Sequence, residues 1–245
     1  PYGNPLREKM PTFQPDEVQN IVEAWWEPCD SGKAEPGALL LACLPHVDQQ
    51  PLTMIPVGRK EPGEHNTATV RFEPLDVNEC RSKPELPVAA LTLNGGERWA
   101  AYRAKRRPCL VVGMAEPVDD RLRRDMPKKS TSPTLVVAPY YGVDRDGSRA
   151  GYNPELVRRI RHAEYPQFML DSLPLAGGKK TERSILRLDH LQPVGMHYRA
   201  FVHTGFCLST DARECIFQDW LNWYLWDDLP EDSLIRGFQK LVQKG

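Results

Sequence analysis

The number and distribution of prolines limit what this chain can fold into. The 245 residues include 23 prolines, and these are spread along the whole sequence. Because proline fixes φ and removes a backbone donor, it ends helices and interrupts central strands, so the pattern favours many short elements over long helices. Apolar runs of strand length lie between these breaks. Strands are predicted at 38–44, 52–58, 67–75, 86–93, 108–114, 134–141, 166–173 and 183–194.

Helical periodicity is confined to the two ends and one central segment. Five apolar residues between 18 and 26 share one face of a predicted helix that begins at Pro15. A short helix is predicted over 153–164. Asp211 is the predicted N-cap of an aromatic helix that ends near 226, and a last helix follows over 231–243. The order of elements predicts an α+β, mainly β fold, in which helices pack on a small antiparallel barrel.

Overall charge excludes a polycationic nucleic-acid binder, because the formal net charge is -1. No apolar run reaches the roughly 20 residues that a membrane helix needs, so no membrane association is expected. The six cysteines are scattered without a C-x-x-C pair, and the histidines lack zinc-ligand spacing. We therefore expect a cytoplasmic protein with reduced thiols, no metal site and no cofactor.

Positive charge is concentrated around one predicted strand. Between Glu97 and Lys129 there are ten Lys or Arg residues and five acidic ones. Aromatic residues flank the same strand, and this combination can bind phosphates and stack on unpaired bases. The alternative is a solvated loop in which arginines stack on tryptophan. The candidate RNA-binding residues are Arg103, Lys105, Arg106, Tyr140 and His190.

Four segments in order carry a resemblance to a known family. "RRPCLVV" (106–112) is an Arg-Pro strand, "LVVAPYY" (135–141) is a strand with a late proline, "YPQFML" (165–170) follows, and "SILRLDH" (184–190) ends in Arg-x-Asp. With 36–48 as a first strand, this order resembles the MazF/PemK (Kid) toxin family, which are small SH3-like barrels that cut RNA without a metal. The resemblance covers roughly residues 36–195.

The resemblance implies a division of the chain into three parts. Residues 1–35 would be an N-terminal arm and helix, and 36–195 the PemK/MazF-like barrel with an insertion at about 46–105. Residues 196–245 would be a C-terminal helical extension.

Carried over residue by residue, the resemblance implies four catalytic residues: Arg107, Tyr141, Arg187 and Asp189. Arg187 and Asp189 are two apart, so on one regular strand both side chains would leave the same face. The alternative for this pair is a surface salt bridge. Tyr141 stands where the family has threonine, and His190 stands where it has glutamine. On a regular strand His190 would face away from Asp189, which favours packing over catalysis.

The sequence therefore predicts an endoribonuclease of the toxin or defence-effector type. It would cleave single-stranded RNA to 2′,3′-cyclic phosphate and 5′-OH ends, restrained by an antitoxin or regulatory protein, and the family resemblance implies a possible homodimer. The alternative is a catalytically inactive barrel that binds protein or nucleic acid in a larger complex. A gyrase-poisoning toxin of the CcdB type, which shares the barrel, is a more distant alternative.

Overall fold

The structure is a computed structural model. It describes residues 16–29, 32–64, 67–81, 86–87, 91–115, 121, 133–144, 151–174, 182–197 and 199–243. The predicted arm over 1–14, residues 88–90 and nearly all of the basic loop 116–129 lie outside the described residues. The prediction of a strand over 86–93 is wrong for its described residues, 86–87 and 91–93, which are not in a strand. Two compact units are present: one comprises Pro1–Cys43 with Arg106–Gly245, and the other is Leu44–Lys105. Among the described residues, no helix is long and apolar enough to cross a membrane.

Eleven strands and three α-helices are found in the described residues. The strands are β1 Trp26–Pro28, β2 Ala38–Pro45, β3 Leu52–Gly58, β4 Thr69–Pro74, β5 Ala100–Ala101, β6 Ala104–Met114, β7 Thr134–Gly142, β8 Phe168–Leu173, β9 Glu182–Arg187, β10 Gln192–Gly195 and β11 Phe201–Leu208. The helices are α1 Pro154–Arg161, α2 Gln218–Trp226 and α3 Leu234–Val242, with a π-helical turn Ala212–Phe217 before α2 and 3₁₀ turns Val18–Ile21, Val77–Arg81 and Leu188–His190.

The main sheet has eight strands in the order β1-β11-β2-β6-β7-β9-β8, and β10 also pairs with β7. β6 and β7 are antiparallel neighbours, as the sequence predicts. The fold is therefore α+β and mainly antiparallel β. Pairing among the described strands follows an open path from β1 to β8, and it does not close into the predicted barrel.

The core lies between this sheet and the C-terminal helices. Leu39 and Leu110 from the sheet, and Trp220 and Phe238 from α2 and α3, are at most 1% exposed and belong to one cluster. Each such side chain contributes roughly 1.5–3 kcal/mol when it is fully buried. The helices are thus part of the hydrophobic core of the first unit.

The sequence prediction is wrong at the N-terminal helix. Only the 3₁₀ turn Val18–Ile21 forms there, and β1 then pairs with β11, with Trp26 opposite Leu208. A helical stripe is a local pattern, and the pairing with β11 overrides it. The predicted cap of the aromatic helix also differs: the hydroxyl of Ser209, not Asp211, accepts from the backbone N–H of Ala212.

Two differences concern the end of the main sheet. The predicted strand 183–194 is two strands, β9 and β10, separated by the turn Leu188–His190. The segment 196–245, predicted as a C-terminal helical extension, also supplies β11, which lies between β1 and β2. The C-terminal segment therefore completes the sheet.

The second unit contains a three-stranded antiparallel sheet in the order β4-β3-β5. Met54 of β3 lies opposite Phe72 of β4, and Leu52 lies opposite both Pro74 and Ala101. The predicted strands 52–58 and 67–75 correspond to β3 and β4.

Candidate functional site

The end of β9 places three polar side chains close together. The strand stops at Arg187, and the 3₁₀ turn Leu188–His190 follows directly. Asp189 is therefore in a turn, which corrects the prediction that it shares one strand with Arg187. Because the turn reverses the expected alternation, His190 also faces Arg187 instead of pointing away from it.

Arg187 holds Asp189 in a two-point ion pair. Its Nε donates to Oδ1 at 2.7 Å, and its Nη2 donates to Oδ2 at 2.6 Å. Burial by itself lowers the pKa of Arg187, but hydrogen bonds to Asp189 and Tyr152 outweigh that cost and raise the pKa above its ordinary value. Arg187 is therefore a permanent cation in a site where its side chain is only 19% exposed.

His190 connects this ion pair to β7. Its Nε2 lies 2.7 Å from Nη2 of Arg187, and its Nδ1 lies 2.8 Å from the hydroxyl oxygen of Tyr141. A guanidinium only donates, so Nε2 accepts and the neutral ring carries its proton on Nδ1. That proton is donated to the oxygen of Tyr141, so the hydroxyl hydrogen of Tyr141 is not used in this bond.

Tyr141 is the centre of the cluster. It lies on β7 opposite Ile185 of β9, which brings it beside the end of that strand. The guanidinium carbon of Arg107, from β6, is 4.2 Å from the centroid of the Tyr141 ring, and that of Arg187 is 5.6 Å away. Two cations on one electron-rich ring form cation–π contacts and create a local positive potential next to a hydroxyl.

The structure thus brings together five residues that the sequence singles out: Arg107, Tyr141, Arg187, Asp189 and His190. They come from β6, β7, the end of β9 and the following turn. Four of them are half-buried or buried, and the Asp189 side chain is 31% exposed. A substrate atom can therefore reach the carboxylate while the other groups stay fixed.

Tyr140, which the sequence predicts as an RNA-binding residue, is not part of this cluster. Side chains alternate along β7, so Tyr140 points to the opposite face from Tyr141. It is 2% exposed, and its hydroxyl donates to Asp171 at 2.8 Å. Burial, followed by the charge of Asp171, raises the pKa of Tyr140 well above its usual value.

The other predicted RNA-binding residues lie outside the cluster. Arg106 precedes Arg107 on β6 and is exposed, so alternation directs it away from Tyr141. Arg103 and Lys105 are exposed residues of the second unit.

Sequence reasoning missed three aromatic neighbours of the site. Tyr152 hydrogen-bonds Arg187, and the Phe168 ring lies 4.9 Å from the same guanidinium. Burial, with the charge of Asp189, raises the pKa of Tyr224, which places this α2 residue near the carboxylate. Tyr165-Pro166 marks the strand that carries Phe168, but no local pattern links Tyr152 or Tyr224 to the site.

A second polar group lies deep in the core. The Asp171 carboxylate accepts from the indoles of Trp25 and Trp26, at 3.2 and 3.1 Å, and from Tyr140. Burial raises its pKa to about 6, although these three hydrogen bonds act in the opposite direction. An aspartate inside the apolar run "FMLDSL" is the signal in the sequence for such a buried acid.

The cluster combines the guanidinium groups of Arg107 and Arg187, which are of the type that binds phosphate, with a carboxylate and a phenol of the type that exchanges protons. Among the described residues, no group of three or more His, Cys, Asp or Glu side chains is arranged to hold a metal ion.

Searches against protein-family models, curated proteins and solved structures found no match to this chain.

Proposed function

We propose that the protein is a metal-independent endoribonuclease that cleaves single-stranded RNA to 2′,3′-cyclic phosphate and 5′-OH ends. The observation that carries this proposal is the convergence of two arginines, a tyrosine, a histidine and an aspartate around the Tyr141 ring. Internal cleavage of RNA needs a proton acceptor, a proton donor and fixed positive charge, and this cluster contains all three.

Asp189 is the proposed base. It takes the proton of the ribose 2′-OH, and O2′ then attacks the adjacent phosphorus. Both carboxylate oxygens accept from Arg187, but each has further acceptor capacity, so the ion pair does not prevent proton uptake. Arg187 also orients the carboxylate, which is the positioning that a weak base needs.

Tyr141 is the proposed acid, and Arg107 stabilises the charge that develops. Tyr141 gives its proton to the leaving O5′ as the P–O5′ bond breaks. The resulting phenolate oxygen keeps the hydrogen bond from Nδ1 of His190, and the Arg107 guanidinium lies 4.2 Å from the ring. The proton on Asp189 then returns to Tyr141 through solvent, which restores both side chains to their starting protonation states.

A relationship to the MazF/PemK family is part of this proposal. Two observations support it: antiparallel pairing of β6 with β7, and arrival of the Arg-Pro, Tyr and Arg-x-Asp segments at one site. In this proposal strands β2, β6, β7, β8 and β9 correspond to an SH3-like barrel that additional strands have opened. A toxin or defence effector of this kind would act with a restraining partner protein.

The test is cleavage of a mixed-sequence single-stranded RNA by the purified protein in the presence of EDTA. Fragments should carry 5′-OH ends that a kinase labels without prior phosphatase treatment. Asp189→Asn should abolish the fragments, because the nearly isosteric amide cannot accept the proton. Asp228→Asn, an exposed aspartate, is the matched control and should cleave normally. Intact RNA with the wild-type protein rejects the proposal.

The second candidate function is binding without cleavage, and one observation favours it. Both oxygens of Asp189 are occupied by Arg187 at 2.6–2.7 Å, which is also the geometry of a structural ion pair that fixes a turn. In that case the protein binds RNA or a partner with the same surface. Wild-type protein that binds RNA tightly and leaves it intact supports this candidate.

A further inference from the structure

Exposed aromatic residues are concentrated in the second unit, Leu44–Lys105. Of the four large aromatic residues that are exposed in the described part of the chain, three belong to this unit: Phe72 at 52%, Trp99 at 40% and Tyr102 at 52%. A ring that is half exposed is packed on one side and open on the other. Several exposed aromatic rings in one small unit are typical of a binding surface.

Two of these rings share a cleft of about 420 Å³. Phe72 is on β4 and lies on the same sheet face as Leu52, because its partner Met54 is two residues from Leu52 on β3. Tyr102 directly follows β5, whose Ala101 is opposite Leu52. The floor of the cleft is therefore the exposed face of the three-stranded sheet.

The rim of the cleft is polar and held in place by the backbone. It consists of His46, Gln49, Gln50 and Arg103. The N–H of His46 donates to the carbonyl of Arg103 at 2.8 Å, and the N–H of Gln49 donates to the carbonyl of His46 at 3.2 Å. The loop that carries the two amides is thus fixed beside the arginine.

We propose that this cleft binds an unpaired nucleobase of single-stranded RNA together with its phosphate. Phe72 and Tyr102 supply ring faces for stacking, which tolerates any base. Gln49 and Gln50 supply the donors and acceptors that match base edges, and Arg103 supplies a bidentate phosphate ligand. None of the described lining residues is acidic, which suits a polyanion better than a basic protein.

This inference rests on the proposed function for its choice of RNA as ligand, but its site is separate from the Tyr141 cluster. The second unit would bind a segment of the same RNA away from the phosphate that is cleaved. Its contribution is therefore to affinity, and the chemistry of cleavage does not depend on it.

The experiment measures binding of the full-length protein to a fluorescent single-stranded RNA whose 2′-O-methyl groups prevent cleavage. Phe72→Ala and Tyr102→Ala should each weaken binding by about tenfold, as expected for the loss of one stacked base. Tyr102→Phe keeps the ring and should bind normally. Arg103→Ala should weaken binding and lower the salt dependence by about 0.7 in the log–log slope. Val57→Ala is the control, since Val57 is 48% exposed in the same sheet but outside the cleft.

A second variant guards against misfolding. Phe72→Leu keeps apolar bulk on the sheet but removes the π-face, so it should fold like the wild type and still lose affinity. Equal affinity for the wild type and all cleft variants overturns the inference, as does wild-type protein that binds no RNA. A cleft whose variants change self-association but not RNA binding is a protein interface, which also overturns it. RNA binding that depends on the cleft in a protein without cleavage activity rejects only the proposed function.

Discussion

The hydroxyl oxygen of Tyr141 lies 2.8 Å from Nδ1 of His190, and the two rings meet edge to face with their centroids 5.4 Å apart. This contact joins strand β7 to the turn after β9. It fixes the direction of the tyrosine oxygen, and the hydrogen bond from Arg187 sets the tautomer of the histidine. The proposed mechanism uses this oxygen as the proton donor to the leaving group, so the hydroxyl is the first group to test.

Tyr141→Phe should reduce RNA cleavage by about a hundredfold or more, because the acid for the leaving oxygen is lost. The ring remains under Arg107, so affinity for RNA should change little. Tyr165→Phe is the matched control, since Tyr165 also has an arginine, Arg159, 4.7 Å from its ring centroid. Tyr141→Thr, which restores the family residue, should retain more activity than Tyr141→Phe. Full activity in Tyr141→Phe would remove the tyrosine from the mechanism.

Replacement of Lys105, Arg106 and Arg107 by alanine should weaken RNA binding and make it less dependent on salt. Each phosphate contact to a single strand contributes about 0.7 to the log–log slope, so the loss of three contacts lowers it by roughly two. Binding is measured by anisotropy over a range of KCl concentrations. An unchanged slope would mean that these three basic residues do not contact the phosphates of the RNA. The control replaces three other basic residues that are exposed: Lys33, Arg213 and Lys240.

Asp171 should make stability depend on pH in an unusual direction. Its pKa rises from 3.8 to about 6 on folding, so between these values the folded state binds more protons than the unfolded state. Its contribution to stability is therefore greatest at low pH and is lost as pH rises towards 6. The free energy of unfolding of the wild type minus that of Asp171→Asn should fall by about 2 kcal/mol between pH 4 and 7.

Urea unfolding curves at several pH values provide this difference. The subtraction removes contributions of the other carboxylates, which are the same in both proteins. A difference that rises with pH would show that the three hydrogen bonds to Asp171 outweigh its burial.

Gly37→Ala should destabilise the protein by about 1–2 kcal/mol. The backbone at Gly37 has a φ of +93°, and an added Cβ would lie 3.4 Å from Cδ of Arg213 and 3.7 Å from Cβ of Leu208. The backbone N–H of Gly37 donates a hydrogen bond to the carbonyl of Val111, and its carbonyl accepts one from the N–H of Leu208. Gly113→Ala is the control, because a Cβ there meets nothing within 4 Å. Equal melting temperatures for the two variants would contradict this account.

The strands were predictable where an apolar run is bounded by turn residues. The runs 38–44, 52–58 and 134–141 coincide with β2, β3 and β7 to within about one residue, because burial and turn chemistry are local properties. β1 and β11 were not predictable in this way. Each is defined by its partner, and Glu27 and Cys207 are 180 residues apart in the chain.

Part of the candidate site was predictable from sequence patterns. The Arg-Pro and Arg-x-Asp patterns identified Arg107, Arg187 and Asp189, and all three lie around Tyr141. Because side chains alternate along a strand, Tyr140 cannot lie in the same cluster as Tyr141. The position of His190 was not predictable, since it depends on a single 3₁₀ turn that ends β9 at Arg187.

The position of β11 has a consequence for how the protein is made. β1 leaves the ribosome about 180 residues before β11, its only partner among the described strands. Until then, β1 and one edge of β2 have unpaired backbone groups, and the core lacks Trp220 and Phe238. The first unit can therefore complete its fold only after β11 and the helices that follow it have been made, and such long-range pairing is slow. A nascent chain stalled before β11 would present open strand edges to chaperones and proteases.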